Sequence, residues 1–137
     1  WRFENGFPVA VAVDRRAVRR EWEAALAAPQ WSTIRRLCIN SLDTPKWWIT
    51  EWVKAPTTQR VLAFEVGILD GKRSALRIER ERGKPWRVSD AMRGYTRFRT
   101  KILRAFVAGL SKSERAAMVV DHKVGDRDKY LEAIRTG

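Results

Sequence analysis

Histidine and cysteine occur once each in this chain of 137 residues, and that scarcity excludes most of the chemistry a small domain performs. One His and one Cys cannot complete the four-ligand nitrogen and sulfur set of an ordinary zinc site. A hydroxyl nucleophile needs a base and an orienting carboxylate. His122 stands beside Asp121 with no G-x-S-x-G elbow to complete such a set. Neither a G-x-G-x-x-G turn nor a P-loop is present, so no cofactor is expected and the chain reads as a non-enzyme. Cys38 cannot form an internal disulfide, which fits a reducing cytoplasm. It lies in an alternating apolar run and reads as a small strand residue rather than a reactive thiol. No apolar run approaches the ~18–20 residues needed to span a bilayer, and no signal-peptide pattern is visible. Residue 1 is Trp rather than Met, so the chain is expected to be part of a longer protein.

Aromatic residues and positive charge are what the sequence has in plenty. Seven Trp, five Phe and two Tyr must be covered by a core or a partner. The formal net charge is +12, and it is unevenly placed. Residues 1–71 carry 10 Lys and Arg against 8 Asp and Glu, whereas residues 72–137 carry 18 against 8. Most of the excess falls in 72–104, with 12 basic and 3 acidic residues. Such asymmetry bears on partners rather than on fold.

Between Ala28 and Val66 the sequence says nearly the same thing twice. Ala28-Pro29 through Ile39 aligns with Ala55-Pro56 through Val66 at an offset of 27 residues. Ile34, Leu37 and Ile39 thereby match Val61, Phe64 and Val66. A period in this range marks stacked repeat architectures. Phe7–Val13 reads as an earlier strand, with Phe7, Ala10 and Ala12 mapping onto Ile34, Leu37 and Ile39. Asp14 caps a first predicted helix to Ala27, with Val18, Trp22, Ala25 and Leu26 on one face. Thr44-Pro45 opens a second, to about Lys54, with Trp48, Ile49, Trp52 and Val53 inward. Strands separated by a helical crossover pair in parallel. Asp70-Gly71 then predicts a hairpin: Ser74–Arg80 returns antiparallel and caps the parallel edge. Beyond Gly83-Lys84-Pro85 the chain turns helical. Trp86-Arg87-Val88 is a candidate short strand, and Ser89 or Asp90 a helix cap. Tyr95, Phe98, Ile102, Phe106 and Leu110 then follow helical spacing as a core stripe. Ser111-Lys112-Ser113-Glu114 has capping-box spacing, and a last short helix opens near Asp126.

The Ile34-x-x-Leu37-x-Ile39 and Val61-x-x-Phe64-x-Val66 runs resemble the L-x-x-L-x-L core of leucine-rich repeats, and the unit length fits. The opening Trp1-x-Phe3-x-x-Gly6-Phe7 resembles the start of leucine-rich-like repeats in certain bacterial proteins, notably myxobacterial ones, where a "repeat-companion" helical segment precedes them. Leu42 and Leu69 stand where the family places its asparagine or cysteine, so a short degenerate sheet is expected rather than a long horseshoe. The resemblance covers residues 1–70 and implies a protein-interaction scaffold without chemistry of its own.

The expectation is therefore an α/β fold: a short parallel sheet of strand–helix units ending in a β-hairpin (residues 1–83), with a basic helical C-terminal segment (84–137) packed on it. Two functions fit. A protein-binding module would use the exposed aromatics Trp31 and Trp47, or the sheet-face residues Arg36, Cys38, Ala63 and Glu65. A nucleic-acid or other polyanion binder would use Arg77, Arg80, Arg82, Lys84, Arg87, Arg97 and Lys101, where guanidiniums can grip phosphates and interleaved aromatics can stack on bases.

Overall fold

A computed structural model describes residues 2–4, 7–13, 34–39, 46–56, 59–67, 74–91 and 96–136. It is a mixed α/β structure built on one sheet whose spatial order follows the chain. The strands are β1 (Arg2–Glu4), β2 (Phe7–Val13), β3 (Arg36–Ile39), β4 (Ala63–Gly67), β5 (Ser74–Glu79), β6 (Arg87–Ala91) and β7 (Val119–Val120). The described helices are α1 (Lys46–Lys54), α2 (Thr96–Ala108), α3 (Lys112–Ala117) and α4 (Arg127–Thr136). The expected helix before Ala27, Trp31 and the Asp70-Gly71 turn lie outside the described residues.

β3 and β4 pair in parallel with Leu37 opposite Phe64 and Ile39 opposite Val66, the 27-residue offset of the sequence. β2 also pairs in parallel with β3, but one residue out of the expected register: Val11, not Ala10, lies opposite Leu37, and Val13 opposite Ile39. A slip of one residue exchanges the two faces of a strand. The observed register continues the row of large apolar residues with valines, where the sequence mapping continued it with alanines.

β4 and β5 form the expected antiparallel pair, Phe64 opposite Ile78 and Val66 opposite Leu76. This pair does not cap the sheet. β6 adds antiparallel to β5, and the two-residue β7 adds parallel to β6 with Val120 opposite Val88. Ser89 and Asp90, expected at a helix cap, are strand residues, and the 84–137 segment is not purely helical. The sheet runs through the expected boundary at residue 83.

Apolar rows from the strands meet the helices on one side of the sheet. Phe64 sits at the centre, with the Trp52 ring 5.4 Å and the Phe106 ring 5.3 Å from it. Phe106 in turn meets Trp86 edge-on at 5.2 Å. Trp48, Ile49, Leu37, Leu76, Ile78, Val88, Leu103 and Tyr130 complete the dry interior, so the reading of Trp48 and Trp52 as core holds. Thr50 Oγ1 donates to the Ala105 carbonyl at 2.7 Å, and Gly109 lies against Val53. A Cβ at Gly109 would meet Val53 Cβ at 2.7 Å and the Thr50 carbonyl at 2.8 Å. These contacts hold α1 and α2 side by side in the same direction, so both helices begin at the end of the sheet where β3 and β6 finish.

The capping box forms as spaced: Ser111 accepts from the Glu114 amide, and the Glu114 side chain accepts from the Ser111 amide. The α2 stripe is phased differently from the expectation. Ile102 and Phe106 are buried, but Phe98 is 44% exposed and Arg99 is buried in its place.

Candidate interaction surfaces

The face of the sheet opposite the apolar rows carries charge, and the register arranges it in rows. Cys38, Glu65, Arg77 and Asp90 lie across from one another on β3 to β6; Arg36, Ala63, Glu79 and Arg87 form the next row. Glu65 is the hub. It is 1% exposed, and one carboxylate oxygen accepts from Arg36 Nε at 2.9 Å and from the same guanidinium's Nη2. Its other oxygen lies 3.1 Å from Arg77 Nε, which also lies 3.0 Å from Glu79. Arg87 closes the row, 3.2 Å from Glu79 and 3.8 Å from Asp121. Because Arg36 and Arg77 keep a large part of their surface in water, the ladder carries its cations without full desolvation.

This arrangement changes the standing of several candidates. Glu65 was expected as a partner contact; its burial removes it from the surface and makes it a counter-ion for Arg36 and Arg77. Arg77 and Arg87 were expected to grip phosphates, but each already faces a carboxylate, so a phosphate would have to displace a matched charge. Cys38 is half-buried beside Glu65. Burial pushes its thiol pKa up, the Glu65 charge adds to that, and Arg36 opposes both. The shift favours the protonated thiol over the thiolate.

Arg80 also leaves the set of free cations. Its guanidinium stacks 4.3 Å above the Trp86 ring, and Nη2 donates to the Gln59 carbonyl at 2.6 Å. Burial lowers its pKa and the nearby Glu114 raises it. Arg80 forms one wall of a cleft of about 280 Å³ with Trp52, Trp86, Phe106, Leu110 and Glu114. Arg82 and Lys84 are exposed in the turn between β5 and β6, with Lys84 Nζ 2.8 Å from Glu81. The seven expected anion-binding cations therefore fall in separate places: the charged sheet face, the cleft, the β5–β6 turn and the start of α2.

The start of α2 is where exposed aromatic and basic groups come together. Arg97, Phe98 and Arg104 are exposed and Lys101 is half-buried, with Lys101 Nζ 5.9 Å from the Phe98 ring centre. Helical spacing puts Arg97, Lys101 and Arg104 in one stripe. Trp47, 36% exposed at the start of α1, lies at the same end of the helical layer because α1 and α2 run together. Trp47 and Lys101 were legible in the sequence as candidates; Phe98 was assigned to the core. Nor did the sequence reading single out Arg99, 1% exposed, whose Nε donates to the Tyr130 hydroxyl on α4 at 2.9 Å.

Among the described residues no three His, Cys, Asp or Glu side chains gather as a metal site would need, and no helix is long and apolar enough to cross a membrane. Comparison with known proteins gives no match: no family model, no curated protein and no solved structure matches the chain.

Proposed function

We propose that this chain is a non-enzymatic protein-interaction module on a leucine-rich-repeat-like scaffold, and that it docks an acidic protein segment at the end of the helical layer where α1 and α2 begin. The observation that carries the reading is Phe98: a large apolar ring, 44% exposed, flanked by Arg97 and Lys101. A half-exposed aromatic with a cation 5.9 Å from its ring suits an apolar anchor with a charge-matched rim. Trp47 supplies a second aromatic at the same end. The scaffold reading is supported by the 27-residue offset, which recurs as the pairing register of β3 and β4. A reducing cytoplasm suits its single cysteine.

Nucleic acid is the competing occupant. It is disfavoured because Arg77 and Arg87 are committed to Glu65, Glu79 and Asp121, and Arg80 to Trp86, which leaves no continuous track of free cations among the seven. The test is a fluorescence-anisotropy titration with a labelled 15-residue peptide of alternating Glu and Leu. Phe98→Ala should weaken binding by about thirtyfold, a hot-spot loss, and Lys101→Glu by about tenfold. Both residues are at least partly solvent-exposed, so the fold should survive. Unchanged affinity in both variants would end this reading.

A further inference from the structure

The cleft beside Arg80 lies where α1 and α2 finish and α3 begins, at the other end of the helical layer from Trp47 and Phe98. Its volume of about 280 Å³ is just under the ~300–1,000 Å³ of sites for drug-sized ligands, so a fitting occupant is small. Val53 and Leu110, both partly buried, give it apolar walls over the nearly buried Trp52 and Trp86. Charge of both signs lines it as well: Arg80 and Lys54 are the cations and Glu114 the carboxylate.

The bonding of these groups shows what they still lack. The Arg80 guanidinium is bracketed by residues of the cleft, stacked on Trp86 and donating from Nη2 to the Gln59 carbonyl. Its Nε is buried, whereas Nη1 keeps open surface and has no acceptor among the described residues. Glu114 is exposed, and its Oε1 accepts from the Ser111 amide and hydroxyl, which leaves Oε2 open. The Glu114 charge reaches Arg80 and raises its pKa against the lowering by burial, yet no ion pair joins the two. A cation and a carboxylate that face one open space without closing on each other match a ligand that carries both signs. The helices strengthen the match, because the C-terminal ends of α1 and α2 favour positive charge. A purely anionic ligand would meet those ends and Glu114; a purely cationic one would meet Arg80 and Lys54.

We propose that this cleft binds a small α-amino acid with an apolar side chain. Arg80 Nη1 and Lys54 hold its carboxylate, Glu114 holds its ammonium, and Val53 and Leu110 cover its side chain. The site does not depend on the docking of an acidic protein, which uses the opposite ends of α1 and α2.

The experiment is an NMR titration of the intact chain at neutral pH and constant ionic strength, following the backbone amides and the Trp indole N–H signals. L-Phenylalanine, 3-phenylpropionate (no ammonium) and 2-phenylethylamine (no carboxylate) are added in separate arms. The proposal expects saturable shifts at the amides of Val53, Gly109 and Leu110 and at the Trp86 indole with L-phenylalanine. Each truncated compound should bind about tenfold or more weakly, the loss of one charge-assisted contact. Glu114→Gln keeps an acceptor for the capping box, so the fold should persist. It should weaken L-phenylalanine by about tenfold, to the affinity of 3-phenylpropionate. The site is overturned if L-phenylalanine gives no saturable shifts at these positions, or if either truncated compound binds as tightly. An L-phenylalanine affinity unchanged by Glu114→Gln would overturn it too.

Discussion

At the scale of single residues, the two buried charges among the described residues are solved in opposite ways. Glu65 has two guanidiniums around it; Arg99 has a phenol. Glu65→Gln should therefore destabilise by about 1–2 kcal/mol, less than a fully buried pair would lose, because Arg36 and Arg77 can turn to water. Urea unfolding checks it. The same variant should speed alkylation of Cys38, since the Glu65 charge is one of the two influences raising the thiol pKa. The sign also sets a pH trend. A thiol whose folded pKa lies above its unfolded one adds stability below the ordinary thiol range, and that contribution fades as pH rises through the raised value. Neither buried charge was legible in the sequence. Glu65 alternates with apolar residues as an exposed strand residue would, and what buries it comes from β3 and β5, 29 and 12 residues away. Arg99 was hidden by its neighbour. Hydrophobicity assigned the inward position to Phe98, but the helix is rotated so that the long arginine, with an apolar stem and a Tyr130 partner, lies inside.

At the scale of elements, what the sequence revealed depended on how much pattern each segment carried. The β3–β4 register was readable because Leu37 and Ile39, like Phe64 and Val66, alternate with polar or small residues. β2 alternates valine with alanine from Val9 to Val13, but both are apolar, so the run lacks the apolar–polar contrast that fixes which face is which. The slip by one residue follows from that. β7 is two residues long and parallel to β6, so its existence depends on α2 and α3 returning the chain beside Val88; nothing within Val119-Val120 announces it. Local signals fared better. Ser111 and Glu114 form the box their spacing promised, and Ser111→Ala should cost about 1 kcal/mol in thermal or urea unfolding. Gly109→Ala should cost about 1–3 kcal/mol, because its methyl would meet Val53 and Thr50 below 3 Å and part α1 from α2. If the start of α2 is the docking end, that variant should also weaken peptide binding while leaving Phe98 in place.

At the scale of the whole molecule, the sheet separates two surfaces of different electrostatic character. One face is a ladder of matched charges that crosses β3 to β6 and reaches Asp121; the other is covered by helices whose leading ends carry Trp47, Phe98, Arg97 and Lys101. The net charge of +12 is therefore a poor guide to binding by itself, because part of the cationic region is neutralised internally and the rest is scattered, with Arg97 and Lys101 the cations that stand beside exposed Phe98. The account accordingly predicts a preference for acidic protein over nucleic acid of equal charge. The direct measurement compares the Glu–Leu peptide with a single-stranded oligonucleotide of the same net charge, each titrated by anisotropy between low and physiological salt. The prediction is that the peptide binds more tightly, with a shallow salt dependence and a loss on Phe98→Ala. Tighter oligonucleotide binding that falls steeply with salt, in the manner of counterion release, and is indifferent to Phe98→Ala would contradict it.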